Sequence, residues 1–435
     1  MDSKKIVFFA LPLAATSALE QLFNSIDVAV VGRFASSEAL AAVGANAPVI
    51  SLFVTLVVGI SLGTNAILSN YIGQRDNKGI ARCVQTTLCM AVGVGVLFMV
   101  AGLLIAKGML AAIDTPKEVL DDAALYLRIY FIGMPSLVVF NFCSAILRSK
   151  GDTKRPLYIL IAAGVVNTIL NLVFVIVFHL GVAGVAIATA IANTISAVLT
   201  LMAVNRIGGP YEVFKKKMRF YRKEMKRILN IGVPAGVQGM VFAVSNIIIQ
   251  SEINSYGPYA VAGSAAALNF EYYCYYIISA FNGAAITFIG QNYGAGRFCE
   301  VRRVYKLCML WAMALSGFMN VFFVVFNSFF LGLFTADPQV LHYGVERMLI
   351  VLTPQWIACS YEVSAAALRG MGISVPPTVL VIFGTCVLRI VWVYLVCPVW
   401  HSYEALMVVY PVSWAVTGAM VLAMCLYVIK KERYY

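Results

Sequence analysis

The sequence predicts an all-α integral membrane protein with twelve transmembrane helices in two pseudo-symmetric six-helix bundles. Three observations carry that prediction. Of the 435 residues, 61% are hydrophobic and 12% charged, and the mean hydropathy is +0.86, a composition unlike that of soluble globular domains. Apolar stretches recur that can cross a hydrocarbon core about 30 Å thick, which takes roughly 20 helical residues. Short patterns in the first half return in the second at a nearly constant offset.

The stretches centre near residues 18, 55, 95, 135, 168 and 193, and then near 241, 275, 318, 355, 388 and 417. The first lacks a small-residue cleavage site and exceeds a signal-peptide core in length, so it is read as a retained helix. Pro12 within it removes a backbone donor and offers a bend. Basic residues cluster at Lys4/Lys5, Arg75/Lys78/Arg82, Arg148/Lys150/Lys154/Arg155, Lys215 to Arg227, Arg297/Arg302/Arg303/Lys306, Arg369 and Lys430/Lys431/Arg433. These clusters fall on alternate loops, whereas the other loops carry scattered charges such as Arg33, Lys107, Lys117 and Arg347. The positive-inside rule then places both termini in the cytoplasm and requires an even number of crossings. The net charge of +12 follows from this topology. The run Lys215 to Arg227 reads as a linker touching anionic headgroups, and no nucleic-acid partner is expected. The ten Cys residues contain no CxxC, so neither disulfides nor zinc are signalled, and they read as small core residues.

Tyr71-Ile72-Gly73-Gln74 ahead of Arg75 recurs as Phe288-Ile289-Gly290-Gln291, an offset of 217. Leu147-Arg148 with Gly151 and Pro156 recurs as Leu368-Arg369 with Gly372 and Pro377, an offset of 221, and Leu11-Pro12 as Val233-Pro234, an offset of 222. The expected organisation is an N-terminal lobe at 1–206, a basic linker at 207–226 and a C-terminal lobe at 227–435. Parallel repeats of this kind occur in secondary transporters, whose two bundles give alternating access to a pathway between or inside them. No GxxxxGK[ST] occurs, so an ion gradient rather than ATP is the expected driver. No cofactor is expected, and a monomer is the expected working unit.

Ionisable and amide groups inside such spans are expensive and mark pathways for ions or substrate. Glu20, Asn24 and Asp27 are spaced by four and three, which puts them on one helix face. A carboxyl group that meets two solutions in turn can bind a proton or a sodium ion on one side and release it on the other. Asp27, in the outer half, is the first candidate, and Glu20 lies deeper. Asn167 and Asn171 in the fifth span and Asn193 in the sixth could share this pocket or act as interhelical glue. In the second half, Asn269 and Glu271 run into Tyr272, Tyr273, Tyr275 and Tyr276, a carboxylate beside aromatic faces that suits an organic cation. Glu362 and Arg389 could form a buried pair, or Arg389 could pair with Glu271 and leave Glu362 free. Sodium could therefore bind at Asp27 or between Glu271 and Glu362. Glu252 reads as solvated near the outer end, as do His179, His342 and His401. The intramembrane charges are mainly acidic, with Arg389 the single base, which argues for cationic cargo. The alternative, a flippase for a lipid-linked precursor, would want a cationic inner cavity. A membrane enzyme would need a clustered nucleophile or metal set, and there is no HExxH.

Ile26-Asp27-Val28-Ala29-Val30-Val31-Gly32-Arg33, Gly181 to Thr189, Gly232-Val233-Pro234 and the paired Ile-Gly-Gln and Leu-Arg…Gly…Pro segments follow one another in a specific order and spacing. With them the chain resembles the multidrug and toxic compound extrusion (MATE) family over essentially its whole length. The resemblance implies a V-shaped pair of six-helix lobes, export of organic and often cationic or amphipathic drugs in exchange for H+ or Na+, and cation binding at Asp27. Gln238, Asn269-Phe270-Glu271, Glu362 before Leu368-Arg369-Gly370-Met371-Gly372, and Arg389 before Trp392 look like a bacterial branch of MepA- and DinF-like type. That branch implies the bacterial inner membrane and a substrate-binding role for Gln238. Two departures stand out. Asn171 occupies a position where many relatives carry an aspartate, a change for which Glu20 could compensate, and Phe242 lies near the place of the glutamate of the sodium-coupled branch. The coupling ion is open between H+ and Na+.

Overall fold

The computed structural model describes residues 3–213 and 218–431. Lys215 of the basic linker and Arg433 lie outside the described residues. The apolar stretches form helices: α1 (Ser3–Phe34), α2 (Ser37–Gln74), α3 (Asn77–Ala112), α4 (Lys117–Ile132), α5 (Met134–Ser149), α6 (Lys154–Leu172) and α7 (Gly181–Asn205). They continue as α8 (Arg222–Ser255), α9 (Pro258–Gly294), α10 (Phe298–Val325), α11 (Asn327–Gly332), α12 (Pro338–Arg347), α13 (Cys359–Gly370), α14 (Val375–Val381), α15 (Leu388–Leu395), α16 (Tyr403–Met407) and α17 (Val409–Lys431).

Ten helical stretches among the described residues are long and apolar enough to cross a membrane, and α4 with α5, bent by 46°, makes an eleventh. The bend falls at Gly133 with Pro135 just beyond it, where a backbone donor is missing. The stretch around residue 355, expected as the tenth span, is a helix in pieces. After α12 come a π-helical turn at Met348–Leu352, Pro354 and a 3₁₀ turn at Gln355–Ala358 before α13 begins. Arg347, Gln355, Glu362 and Arg369 along this stretch are all buried. Irregular backbone at membrane depth is tolerated where protein covers it.

The chain forms two compact units, Ala15–Gly236 and Met1–Ala14 with Val237–Tyr435. The expected lobes and these units divide α1 and α8 differently: the first turns of α8 belong with α2–α7, and the first turns of α1 with α9–α17. In the unit Ala15–Gly236, Gly59 and Gly63 of α2 meet Gly232 and Gly236 of α8, two small-xxx-small pairs that bring the backbones together. A Cβ on Gly59 would sit 2.2 Å from Gly236 Cα, and one on Gly63 2.2 Å from the Ile228 carbonyl oxygen. Further along α2 the same helices are tied by Tyr71, whose hydroxyl donates to Glu224 at 2.8 Å and accepts from Arg227 at 2.5 Å. In the other unit, Phe9 packs on Phe288 with ring centres 4.8 Å apart, and Gly263 and Gly370 let α9 approach the backbones of α12 and α13 respectively. Its core gathers Phe270, Phe323, Met348 and Leu352.

Lipid tails provide no hydrophobic drive for helix association, so close packing carries the α2–α8 crossing. A Gly59→Leu or Gly236→Leu variant is expected to cost about 1–3 kcal/mol or more through overpacking, read as a lower Tm of the purified protein. Gly108→Ala, where nothing lies within 4 Å of the added carbon, serves as the unchanged control.

Candidate functional site

In the unit Ala15–Gly236, three helices converge on Asp27. Glu20 and Asp27 lie two turns apart at almost the same angle around α1, yet their surroundings differ. Asp27 is buried beneath α6 and α7, while Glu20 and Asn24 are exposed. Asn171 Nδ2 donates to Asp27 Oδ1 at 2.5 Å and to Asn167 Oδ1 at 3.2 Å. Thr189 Oγ1 lies 3.4 Å from Asp27 Oδ2, and Asn167 Nδ2 donates to Thr189 at 3.4 Å. Asn171 Oδ1 is buried with no partner among the described residues. Tyr126 and Tyr130 of α4, stacked 6.4 Å apart, are within electrostatic reach of Asp27. Asn193, one turn beyond Thr189, is half-buried and stands outside this set. The base whose charge Glu20 feels is Arg148.

The unit containing Val237–Tyr435 holds a different arrangement. Arg347 takes Glu271 in a two-pronged ion pair, Nε to Oε1 at 2.5 Å and Nη2 to Oε2 at 3.0 Å. Gln355 Nε2 donates to the Glu271 backbone carbonyl at 3.0 Å. Glu362 accepts from Asn282 Nδ2 at 2.7 Å and from the Tyr275 hydroxyl at 3.4 Å. Arg369, in electrostatic contact with Glu362, donates to Gln238 Oε1 at 2.7 Å. Arg389 bonds Ser413 at 3.1 Å and Asn246 at 3.4 Å, and lies over the rings of Tyr410 and Phe242. Asn269 is half-buried, with its amide turned back to Ala265 O at 2.9 Å. Tyr272 stacks on Tyr276 at 6.4 Å.

A family profile described as MatE matches residues 12–173 and again 234–395. The two matches begin at Pro12 and Pro234, the prolines that repeat at an offset of 222. The chain belongs to the MatE family. Members of this family are multidrug efflux transporters and not enzymes, and the MatE fold here is the all-helical, twice-repeated one. The chain is 28% identical over 365 residues to the "Probable multidrug resistance protein YpnP" of Bacillus subtilis, covering 82% of this chain and 79% of that protein. It is 20% identical to the "Multidrug export protein MepA" of Staphylococcus haemolyticus, over 80% of this chain and 77% of that one. Among solved structures, the Vibrio cholerae MATE transporter VcmN in the bent form superposes with a TM-score of 0.90 at 19% identity, covering 100% of this chain and 98% of that chain. A Pyrococcus furiosus transporter described as having a binding pocket of reverse polarity superposes with a TM-score of 0.89 at 20% identity, over 99% and 96% of the two chains.

Set against this MatE geometry, the sequence misplaced two bases. Arg347, taken as a scattered loop charge, is 2% exposed and pairs with Glu271. The helix of which it is part starts at Pro338, so the residue lies a full helix length from the loop. Arg369, assigned to a basic loop, is 3% exposed inside α13. Arg389 is therefore not the single base, and among the described residues it forms an ion pair with neither Glu271 nor Glu362. Tyr275, aligned with Glu271 by sequence, reaches Glu362 instead. Thr189, Asn282, Ser413 and Tyr410 carried no sequence signal for a site role, beyond the place of Thr189 in the Gly181 to Thr189 segment. Π-helical turns at Val173–Val177, Met348–Leu352 and Ile382–Val387 lie within two residues of Asn171, Arg347 and Arg389 respectively, and such turns cluster at functional sites.

Removing one member of the Glu271–Arg347 pair leaves the other charged and buried. Glu271→Gln and Arg347→Gln are each expected to cost about 3–5 kcal/mol, and the double variant less than their sum, measured as Tm in a double-mutant cycle.

Proposed function

We propose that this MatE-family protein is a secondary active antiporter that exports organic compounds, cations such as ethidium included, in exchange for H+ or Na+, with Asp27 carrying the coupling ion. One observation supports this above the others. Asp27 is a buried intramembrane carboxylate whose hydrogen-bond partners, Asn171 and Thr189, are both neutral. A carboxylate so placed is balanced by taking up a proton or a cation. One carboxylate among the neutral oxygens of Asn167, Asn171 and Thr189 offers a hard-oxygen set of single negative charge, suited to a monovalent ion. Asn171 Oδ1, without a partner among the described residues, is a ready ligand within it. Asn171 thus serves where a second aspartate would, without adding a second charge.

Glu271 is left out of this coupling role, since Arg347 already neutralises it. Glu362, held by Asn282 and Tyr275 near Arg369, keeps the role of a second acidic site. The reading includes a monomer in the bacterial inner membrane with both termini in the cytoplasm, and lobes at 1–206 and 227–435 joined by the basic linker at 207–226.

The test is ethidium efflux from proteoliposomes under an imposed sodium gradient and, separately, an imposed proton gradient. One gradient is expected to drive efflux, and Asp27→Asn to bring the rate down to that of protein-free liposomes while the protein still inserts. Unaltered efflux in Asp27→Asn removes that residue from the mechanism. If neither gradient drives efflux while a labelled lipid-linked precursor crosses the bilayer, the protein is a flippase.

A further inference from the structure

The spans of the unit containing Val237–Tyr435 bury more positive than negative charge. Glu271 and Glu362 stand against Arg347, Arg369 and Arg389, all of them buried. Glu271 is consumed by Arg347, and Glu362 shares its field with Arg369. Arg389 is left over. It is 3% exposed, and among the described residues no carboxylate lies within ion-pairing distance of it. Its Nε and Nη1 donate to Ser413 and Asn246, both neutral.

A guanidinium has five N–H donors in a planar fork, and these two bonds leave the fork largely unused. Its remaining support is aromatic: the guanidinium carbon lies 4.5 Å from the centre of Tyr410 and 5.9 Å from that of Phe242. Such contacts recover less than burying an unpaired charge costs. Arg347 lies 5.4 Å from the same Tyr410 ring, so two guanidiniums and one carboxylate share the locality. The cluster is not sealed. Asn246, the amide bonded to Arg389, is exposed, as is Tyr272, within electrostatic reach of Glu271, Arg347 and Tyr410.

We propose that Arg389 is the countercharge for an anionic group, a carboxylate or a phosphate, on an amphipathic ligand that enters past Asn246 and lays its apolar part against Phe242, Tyr272 and Tyr410. The inference rests on the exporter reading and extends its cargo to organic anions and zwitterions, which the fork geometry of a guanidinium recognises.

The experiment uses the full-length protein in nanodiscs, with no gradient, and compares rhodamine B with its methyl ester, in which the carboxylate is capped as a neutral ester. Fluorescence anisotropy is expected to show rhodamine B bound at least about tenfold more tightly than the ester, the scale of one hydrogen bond to a charged group. Arg389→Gln is expected to erase that preference while ester binding persists, and Arg389→Lys to retain part of it. Equal affinities in the unaltered protein, or a preference that survives Arg389→Gln, overturn the proposal. The first comparison needs no variant, so a poorly folding Arg389→Gln leaves the test intact. Repeating it with phosphatidylglycerol added to phosphatidylcholine discs separates two sources of the anion. Competition by phosphatidylglycerol that depends on Arg389 assigns the site to a lipid headgroup, and unchanged binding assigns it to a soluble ligand. Because no gradient is imposed, a failure of coupling at Asp27 does not affect the result.

Discussion

Placing a charge among helices surrounded by hydrocarbon costs several kcal/mol unless the protein supplies a partner, and the polar architecture of this chain is a set of different answers to that cost. Glu271 is answered by a two-pronged guanidinium, with both oxygens of the carboxylate engaged. Glu362 is answered by an amide and a phenol, with a second guanidinium nearby. Among the described residues, Asp27 is answered only by an amide and a hydroxyl. The order runs from full neutralisation to none.

The same constraint explains why one span is broken. The stretch from Pro338 to Gly370 carries Arg347, Gln355, Glu362 and Arg369, all turned into protein rather than lipid. A single straight helix presents a fixed sequence of directions, one every 100° or so. Interrupting it with a π-turn, Pro354 and a 3₁₀ turn lets Arg347 reach α9 and Gln355 meet the Glu271 carbonyl, while Glu362 turns towards Asn282 and Tyr275.

Much of the helical layout was legible because lipid imposes length and apolarity on every crossing, and both can be counted. The cluster of Asp27, Asn167 and Asn171 was legible in part, since spacings of three and four reveal a face. The partners of Glu271 and Tyr275 were not. Depth was inferred from hydropathy, which assumes unbroken helices, so the interrupted stretch displaced Arg347 into a loop. Which face of one helix meets which face of another depends on rotation, and a π-turn changes that rotation without a recognisable residue pattern.

Those π-turns have an evolutionary consequence. Each is in effect an α-helix with one residue too many, so deleting a single residue from 173–177, 348–352 or 382–387 would restore regular winding and swing one flank by about 100° relative to the other. Asn171, Arg347 and Arg389 border these turns, and each would then face a new direction with its chemistry unchanged. Single-codon insertions and deletions, usually ruinous inside a membrane helix, become here a route by which related genes could redirect a charged or amide group without changing its identity.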